Sequence, residues 1–400
     1  MATTADRTYP SEPSGVLIWL RKNLFNNWYN SLLTILSFLM IAWAMNAGIR
    51  WVFITADWRP VLDHPILYLV GQYPRDLLWR PGASLLVISV LVGASWGNWG
   101  QSLRMMAIAQ AAIVAMLVIW PSQVGITLPM RGFIALNLPA ILLGYLLGKH
   151  KFTKSSYVLV AWVISTPIIL LLWSGIAGID ALPVVATGRW GGLMVTLFLA
   201  VGGIVISFPI GVLLALGRRS SLPVVKFVCI AFIEGIRGVP LITLLFMVHV
   251  VLAIFLPGEV RFDRLLRALV AMTAFSAAYM AENVRGGLAA IPQGQIEAAK
   301  AVGLNNFQVT VFIVLPQALR IVIPPIVGQF ISLFKDTTLA AGIAVPELLM
   351  IGRAIIQSDQ TYLRLQMEVF LFIAAVFWLF CYLMSYASLK LEAALGVGER

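Results

Sequence analysis

EAAKAVGLNNFQVTVFIVLPQA, residues 297–318, interrupts a chain otherwise dominated by apolar runs long enough to cross a bilayer. It follows the polar run QGQIEAAK, residues 293–300, and leads into another apolar helix. Pro292 limits the incoming helix, Glu297 and Lys300 flank an Ala-rich turn, and Gly303 fits a helix C-cap, where a left-handed residue costs glycine least. Asn305 or Asn306 can cap a second helix that runs to Leu315 and is stopped by Pro316. Roughly ten residues per helix rise only about 15 Å, half the apolar thickness of a bilayer. The segment is therefore expected to lie across the cytoplasmic ends of the spans. Its apolar positions Ile296, Ala299, Val302, Val309, Phe312 and Ile313 would be left in water unless another protein covers them.

Composition supplies the surroundings of this interruption. Of 400 residues, 60% are hydrophobic and 11% charged, more apolar surface than one soluble core can hide, so the chain reads as a polytopic membrane protein. A net charge of +11 could point to nucleic acid, but Lys and Arg sit singly or in pairs between apolar runs, as positive-inside topology places them. Cys229 and Cys381 each lie inside an apolar run and read as small hydrophobes, which excludes a disulfide framework or a metal quartet. His64, His150 and His249 are far apart, with no HExxH pair and no Gly-x-Ser-x-Gly elbow, which excludes a zinc protease and an elbow-type hydrolase.

Ten candidate spans cover residues 31–54, 83–96, 105–120, 133–148, 156–176, 191–216, 239–256, 265–290, 319–334 continuing towards Val345, and 367–389. The second and fourth are short. Arg21 and Lys22 place the N-terminus in the cytoplasm, as Lys149, Lys151, Lys154, Arg218, Arg219 and Lys226 place two later loops and Lys390 the C-terminus. Parity then allows eight or ten spans, and Arg104, a basic turn between two runs, favours ten. Trp51, Trp58, Trp79, Trp96, Trp99, Trp120, Trp173 and Trp190 fall near span ends and read as an interfacial belt.

The pattern Glu-Ala-Ala, then Gly303, then Ile313-Val314-Leu315-Pro316 resembles the coupling loop of permease subunits in binding-protein-dependent ATP-binding cassette importers. AAYMAENVRGGLAAIPQGQIEAAKAVG (277–303), LPQALRIVIPPIVGQFISLFKDTT (315–338) and RGVPLI (237–242) resemble the polar amino-acid branch, the histidine, glutamate, glutamine and arginine permeases. The likeness covers about residues 188–392. It implies an all-α, five-span type I permease domain at 181–395 with its coupling loop at 294–318. Ahead of it come a cytoplasmic segment, 1–30, and an extra transmembrane region, 31–180, similar to that of the larger permeases of general L-amino-acid importers. The resemblance also implies that Glu297, Ala298, Ala299, Gly303, Leu315 and Pro316 meet a separate ATPase. Further implied partners are a second, homologous permease subunit in a heterodimer and a periplasmic amino-acid-binding protein, in a bacterial inner membrane.

This chain carries no engine of its own. GYLLGKH, residues 144–150, has three residues rather than four between its glycines and His where a phosphate loop needs Ser or Thr. No cofactor is expected on this chain; ATP and Mg belong to the partner ATPase.

Ionisable groups inside spans are costly and mark candidate pathways. Asp336 could take the ammonium of an amino acid, with Thr337, Thr338 and nearby backbone donors on its carboxylate; the alternative is an internal Lys335–Asp336 salt bridge. Glu282 and Arg285, three apart on one helical face, form a gating or structural pair. Arg237-Gly238 is either a membrane-entry bend or part of the pocket. A competing function, an ion-gradient-driven secondary transporter or channel, calls for inverted repeats with buried carboxylates in both halves. The N-terminal half has almost no intramembrane acid.

Overall fold

The computed structural model describes residues 15–120, 126–150, 153–255, 263–394 and 396, in which every named element is a helix. The first fourteen residues of the segment 1–30 and the last residue of the span at 239–256 lie outside them. The chain forms two compact units, divided between Asp57 and Trp58. In the first, α1 (Val16–Asn23) carries Arg21 and Lys22 in its last turn. It is followed by α2 (Trp28–Arg50), prolonged by a π turn at Trp51–Thr55. No residue of α2 is buried, so it is apolar and exposed all round, as a lipid-facing span is.

The second unit begins with two short helices, α3 (Arg59–Leu62) and α4 (Pro65–Val70), each with proline in its first turn. Then come α5 (Trp79–Trp99) and α6 (Gln101–Ile119), and α7 (Leu128–Ala135) and α8 (Asn137–Lys149), which join into one span, before α9 (Ser155–Ser174). The glycines of GYLLGKH are helix-packing residues. Gly144 and Gly148 of α8 lie against the Val90 and Ala94 carbonyls of α5, and Gly93 and Gly97 return the contact at the Ile141 and Tyr145 carbonyls. Small residues spaced by four let membrane helices touch backbone to backbone. A buried polar chain ties the same region together: Ser89 donates to Asn137 Oδ1 at 2.8 Å, and Gln110 donates to Ser89 at 2.8 Å.

After α9, the order is α10 (Gly192–Arg218), α11 (Pro223–Arg237), α12 (Leu241–Phe255) and α13 (Arg264–Ala289). Three short pieces follow, α14 (Gln293–Ala301), α15 (Asn306–Gln308) and α16 (Leu315–Ile321), then α17 (Ile323–Asp336), α18 (Leu348–Ser358) and α19 (Gln366–Ala394). The hydroxyls of Ser207 on α10 and Ser276 on α13 meet at 3.0 Å in the interior. One core gathers Tyr73, Trp120, Trp190, Leu199, Met272 and Leu333, so packing runs across the boundary at residue 181. A second core, at the α14 end, holds Ile233, Met280, Val284, Val309, Val314 and Ala318.

Seven helices among the described residues are long and apolar enough to span, nine if each of two bent pairs counts once. The bent pairs are Pro223–Arg237 with Leu241–Val251, at 111°, and Asn306–Ile321 with Ile323–Ile343, at 60°. Two shorter apolar helices, Leu103–Ile119 and Leu348–Ser358, accompany them, and the first covers most of the expected segment at 105–120. The two runs read as short are lengthened by flanking polar turns, to Arg75–Trp99 and Leu128–Lys149. The tryptophan belt needs correction. Trp120 and Trp190 are buried in the core, and the Trp120 indole donates to the Leu62 carbonyl at 3.1 Å.

Candidate functional site

At one end of the second unit, residues 292–321 build a rigid turn from local signals. Gly303 has φ +86 and follows α14 in a Schellman arrangement, with Gly303 N–H donating to Lys300 O at 2.9 Å and Leu304 N–H to Ala299 O at 3.2 Å. Asn305 then closes a capping box with Gln308: each side chain takes the other's backbone N–H at 2.9 Å. The second helix does not stop at Pro316 as its ring suggests. A π turn at Val309–Val314 widens the helix just before the proline, which then occupies the first turn of α16, where no N–H is missed. The helix runs on to Ile321.

Only part of the apolar face is open. Ala299 and Val309 are buried, and Ile296 and Ile313 pack against the second core, so they need no partner to cover them. Val302, Phe307 and Phe312 remain 77%, 71% and 64% exposed. Of the positions expected at the ATPase contact, Glu297, Ala298, Gly303 and Pro316 are exposed, whereas Ala299 is buried and Leu315 half-buried against that core.

Two helical turns before this segment sits a charged hub. Glu282 Oε1 accepts from Arg285 at 2.7 Å, and Glu282 Oε2 lies 3.5 Å from Arg218 and 3.7 Å from Arg237. Arg218 also reaches Glu234 at 2.8 Å, and Arg237 lies over the Tyr279 ring at 5.4 Å. One carboxylate thus ties together the ends of α10 and α11 and the body of α13. The sequence brought out the Glu282–Arg285 pair by its spacing; Arg218 and Glu234, 48 or more residues away from Glu282, carried no such signal. At Arg237-Gly238 the chain bends by 111°.

Residues 335–338 are less open. Thr337 is fully buried and donates to Phe334 O at 2.7 Å, and Thr338 donates to Lys335 O at 2.8 Å, so both hydroxyls are engaged by their own helix. Lys335 is exposed, Asp336 half-buried, and no ion pair joins them among the described residues. Neighbours in a helix point some 100° apart, which overturns the internal salt bridge. The expected break does occur: α17 tightens into a 3-10 turn at Thr337–Ile343, and Ala344 is left-handed at φ 58. A cavity of about 430 Å³ lies instead along α16 and the first part of α17, lined by Phe208, Pro316, Arg320, Ile323, Phe330 and Leu391 among others and by none of residues 335–338.

Glu347 was not singled out from the sequence. Outside the spanning helices and fully buried, it caps α18 by accepting from Leu349 N–H at 2.8 Å and Met350 N–H at 2.7 Å, and burial pushes its pKa up to about 7. An acid after Pro346 and before an apolar helix is the available cap signal.

Apolar helices long enough to span, two pairs of them broken near charged residues, describe a polytopic membrane protein. Residues 207–395 match the family described as binding-protein-dependent transport system inner membrane component. The chain is 36% identical to the glutamate/glutamine/aspartate/asparagine transport system permease protein BztC of Rhodobacter capsulatus, over 98% of this chain and 96% of that protein. It is 35% identical to the inner membrane amino-acid ABC transporter permease protein YhdY of Escherichia coli K12, over 96% and 95%. A crystal structure of an amino acid ABC transporter with histidines is similar at 27% identity and TM-score 0.45, over 50% of this chain and 90% of that one. The chain belongs to the binding-protein-dependent permease family, as a permease subunit of an amino-acid ABC importer. Its relatives are transporter permease subunits, so it is not itself an enzyme.

Proposed function

We propose that this chain and a second, homologous permease subunit form the translocation pathway of an ATP-driven amino-acid importer. The turn at 294–318 docks a separate ATPase that holds ATP and Mg, both termini are cytoplasmic, and a periplasmic amino-acid-binding protein delivers substrate to the opposite end. The observation that carries this reading is the exposed apolar set Val302, Phe307 and Phe312 on a turn fixed by two caps, since apolar surface on a rigid, polar-flanked segment marks a docking site. A full-length relative's name makes glutamate, glutamine, aspartate and asparagine the first substrates to test.

Gly303→Val tests the docking. No atom would lie within 4 Å of an added Cβ, so the penalty is in the backbone: a β-branched residue at φ +86 costs on the order of 1–2 kcal/mol. Membrane insertion should survive while co-purification with the ATPase falls several-fold; Gly303→Asn, which tolerates the left-handed region, should keep most of it. Parental co-purification and ATP turnover in Gly303→Val defeat the docking assignment.

Asp336 is the remaining acid on the broken span, and this reading gives it the substrate ammonium. Removing one partner of a buried ionic contact costs about 2–5 kcal/mol, so Asp336→Asn should lower uptake at least about tenfold with ATPase assembly intact. Because Lys335 makes no ion pair with it, adding Lys335→Met should restore nothing. Recovered uptake in the double variant removes Asp336 from the pathway.

A further inference from the structure

Arg80 stands near the start of α5, at the end of the second unit opposite α14, and is fully buried. A guanidinium keeps its charge inside a protein, and an uncompensated buried charge is strongly destabilising. Its Nη1 donates to the Pro183 carbonyl at 2.8 Å. Nε and Nη2 are buried with no hydrogen-bond partner, and no carboxylate forms an ion pair with Arg80 among the described residues. Those two nitrogens form one edge of the fork, the edge that grips two oxygens of a carboxylate or phosphate side by side.

Two indole donors in the core that holds Tyr73 are in the same condition. The indole Nε1 atoms of Trp173 and Trp190 are both buried without an acceptor, and the two rings meet edge-on at 5.7 Å. The Tyr73 hydroxyl lies within hydrogen-bonding reach of the Arg80 guanidinium, its oxygen free to accept from it, and donates to the Trp173 carbonyl at 2.9 Å. Val185 N–H donates to Ser174 O at 2.8 Å, which holds the Pro183 segment against the end of α9. Trp79, 44% exposed, lies under the guanidinium at 5.7 Å and forms the outward wall. Every unmet group of Arg80, Trp173 and Trp190 is an N–H, and one of them is cationic; buried groups of this kind call for an oxyanion.

We propose that Arg80, with the indole donors of Trp173 and Trp190, binds an oxyanion, a carboxylate or a phosphate, at this end of the permease. The group has two sources: a phospholipid headgroup, since Trp79 sits at a span end where headgroups lie, or a free carboxylate such as that of an amino acid.

Thermal unfolding of the full chain in neutral detergent, with phosphatidylglycerol or glutamate as probe, separates them. One probe should raise the melting temperature of the parent saturably and leave Arg80→Gln unmoved; phosphatidylglycerol identifies the headgroup, glutamate the free carboxylate. Should Arg80→Gln fail to fold, Arg80→Lys keeps a charge but loses the two-nitrogen edge, and should need at least tenfold more probe for the same shift. If neither probe shifts the parent, or parent and variant respond at equal concentrations, the assignment is overturned.

Discussion

Glu282→Gln should reduce ATP-driven uptake in proteoliposomes by at least tenfold while the chain still inserts and accumulates. The parental carboxylate faces guanidiniums from Arg218, Arg237 and Arg285, drawn from three different helices. Its neutral isostere keeps the shape and leaves the cations to repel one another. Truncating one member of a buried charge pair costs about 2–5 kcal/mol. Here the Glu282 side chain is 23% exposed and that of Arg285 43%, so solvent screening puts the effect near the lower limit, about 2 kcal/mol, still more than the 1.4 kcal/mol of a tenfold change. Because α13 runs directly from this hub to the turn at α14, the loss should appear in the coupling of ATP hydrolysis to uptake more than in melting temperature. Glu282→Asp, which keeps the charge on a shorter stem, should fall between. Parental uptake in Glu282→Gln would falsify a role for the hub in transport.

Much of this end of the molecule was legible because its signals are local. Gly303 and Asn305 sit within three residues of the groups they cap, so a left-handed C-cap and an N-cap at Asn305 or Asn306 could be read from the string, while the reciprocal bond from Gln308 was not. Pro316 misled because the ring alone signals a stop; the π turn that accommodates it has no sequence mark of its own. Val309 and Ile313 looked stranded in water because their cover, the second core, is assembled from α10, α11 and α13 far away in sequence. Thr337 suggested a ligand contact by residue type, yet a buried threonine in a helix readily bonds the carbonyl a turn back, as it does here. Arg80 and Trp190 were hidden for the converse reason. Near a span end, Arg and Trp usually snorkel to the interface, and only the folded bundle shows both enclosed by protein.

Gly144→Leu should be the most damaging single change in the region before residue 181. A Cβ at Gly144 would lie 2.1 Å from the Val90 carbonyl oxygen, and at Gly148 2.1 Å from that of Ala94; Gly93 and Gly97 would meet Ile141 O at 2.0 Å and Tyr145 O at 2.3 Å. The obstacles are backbone atoms on the facing helix, so no rotamer change relieves them and α5 and α8 must move apart. Separation also loosens the contact between the Trp96 and Tyr145 rings, 4.4 Å apart, and stretches the buried Ser89–Asn137 hydrogen bond. Overpacking typically costs 1–3 kcal/mol and a broken buried hydrogen bond another 1–3, giving roughly 3 kcal/mol or more. Fluorescence-detected size exclusion after heating should show a melting temperature several degrees lower and reduced accumulation in the membrane. Gly93→Ala combined with Gly144→Ala should destabilise less than the sum of the single changes, since one displacement of the helices serves both. Gly132→Ala is the control: nothing lies within 4 Å of its Cβ position on α7, so it should be neutral or slightly stabilising. A Gly144→Leu chain that melts with the parent would mean that the two helices do not touch backbone to backbone.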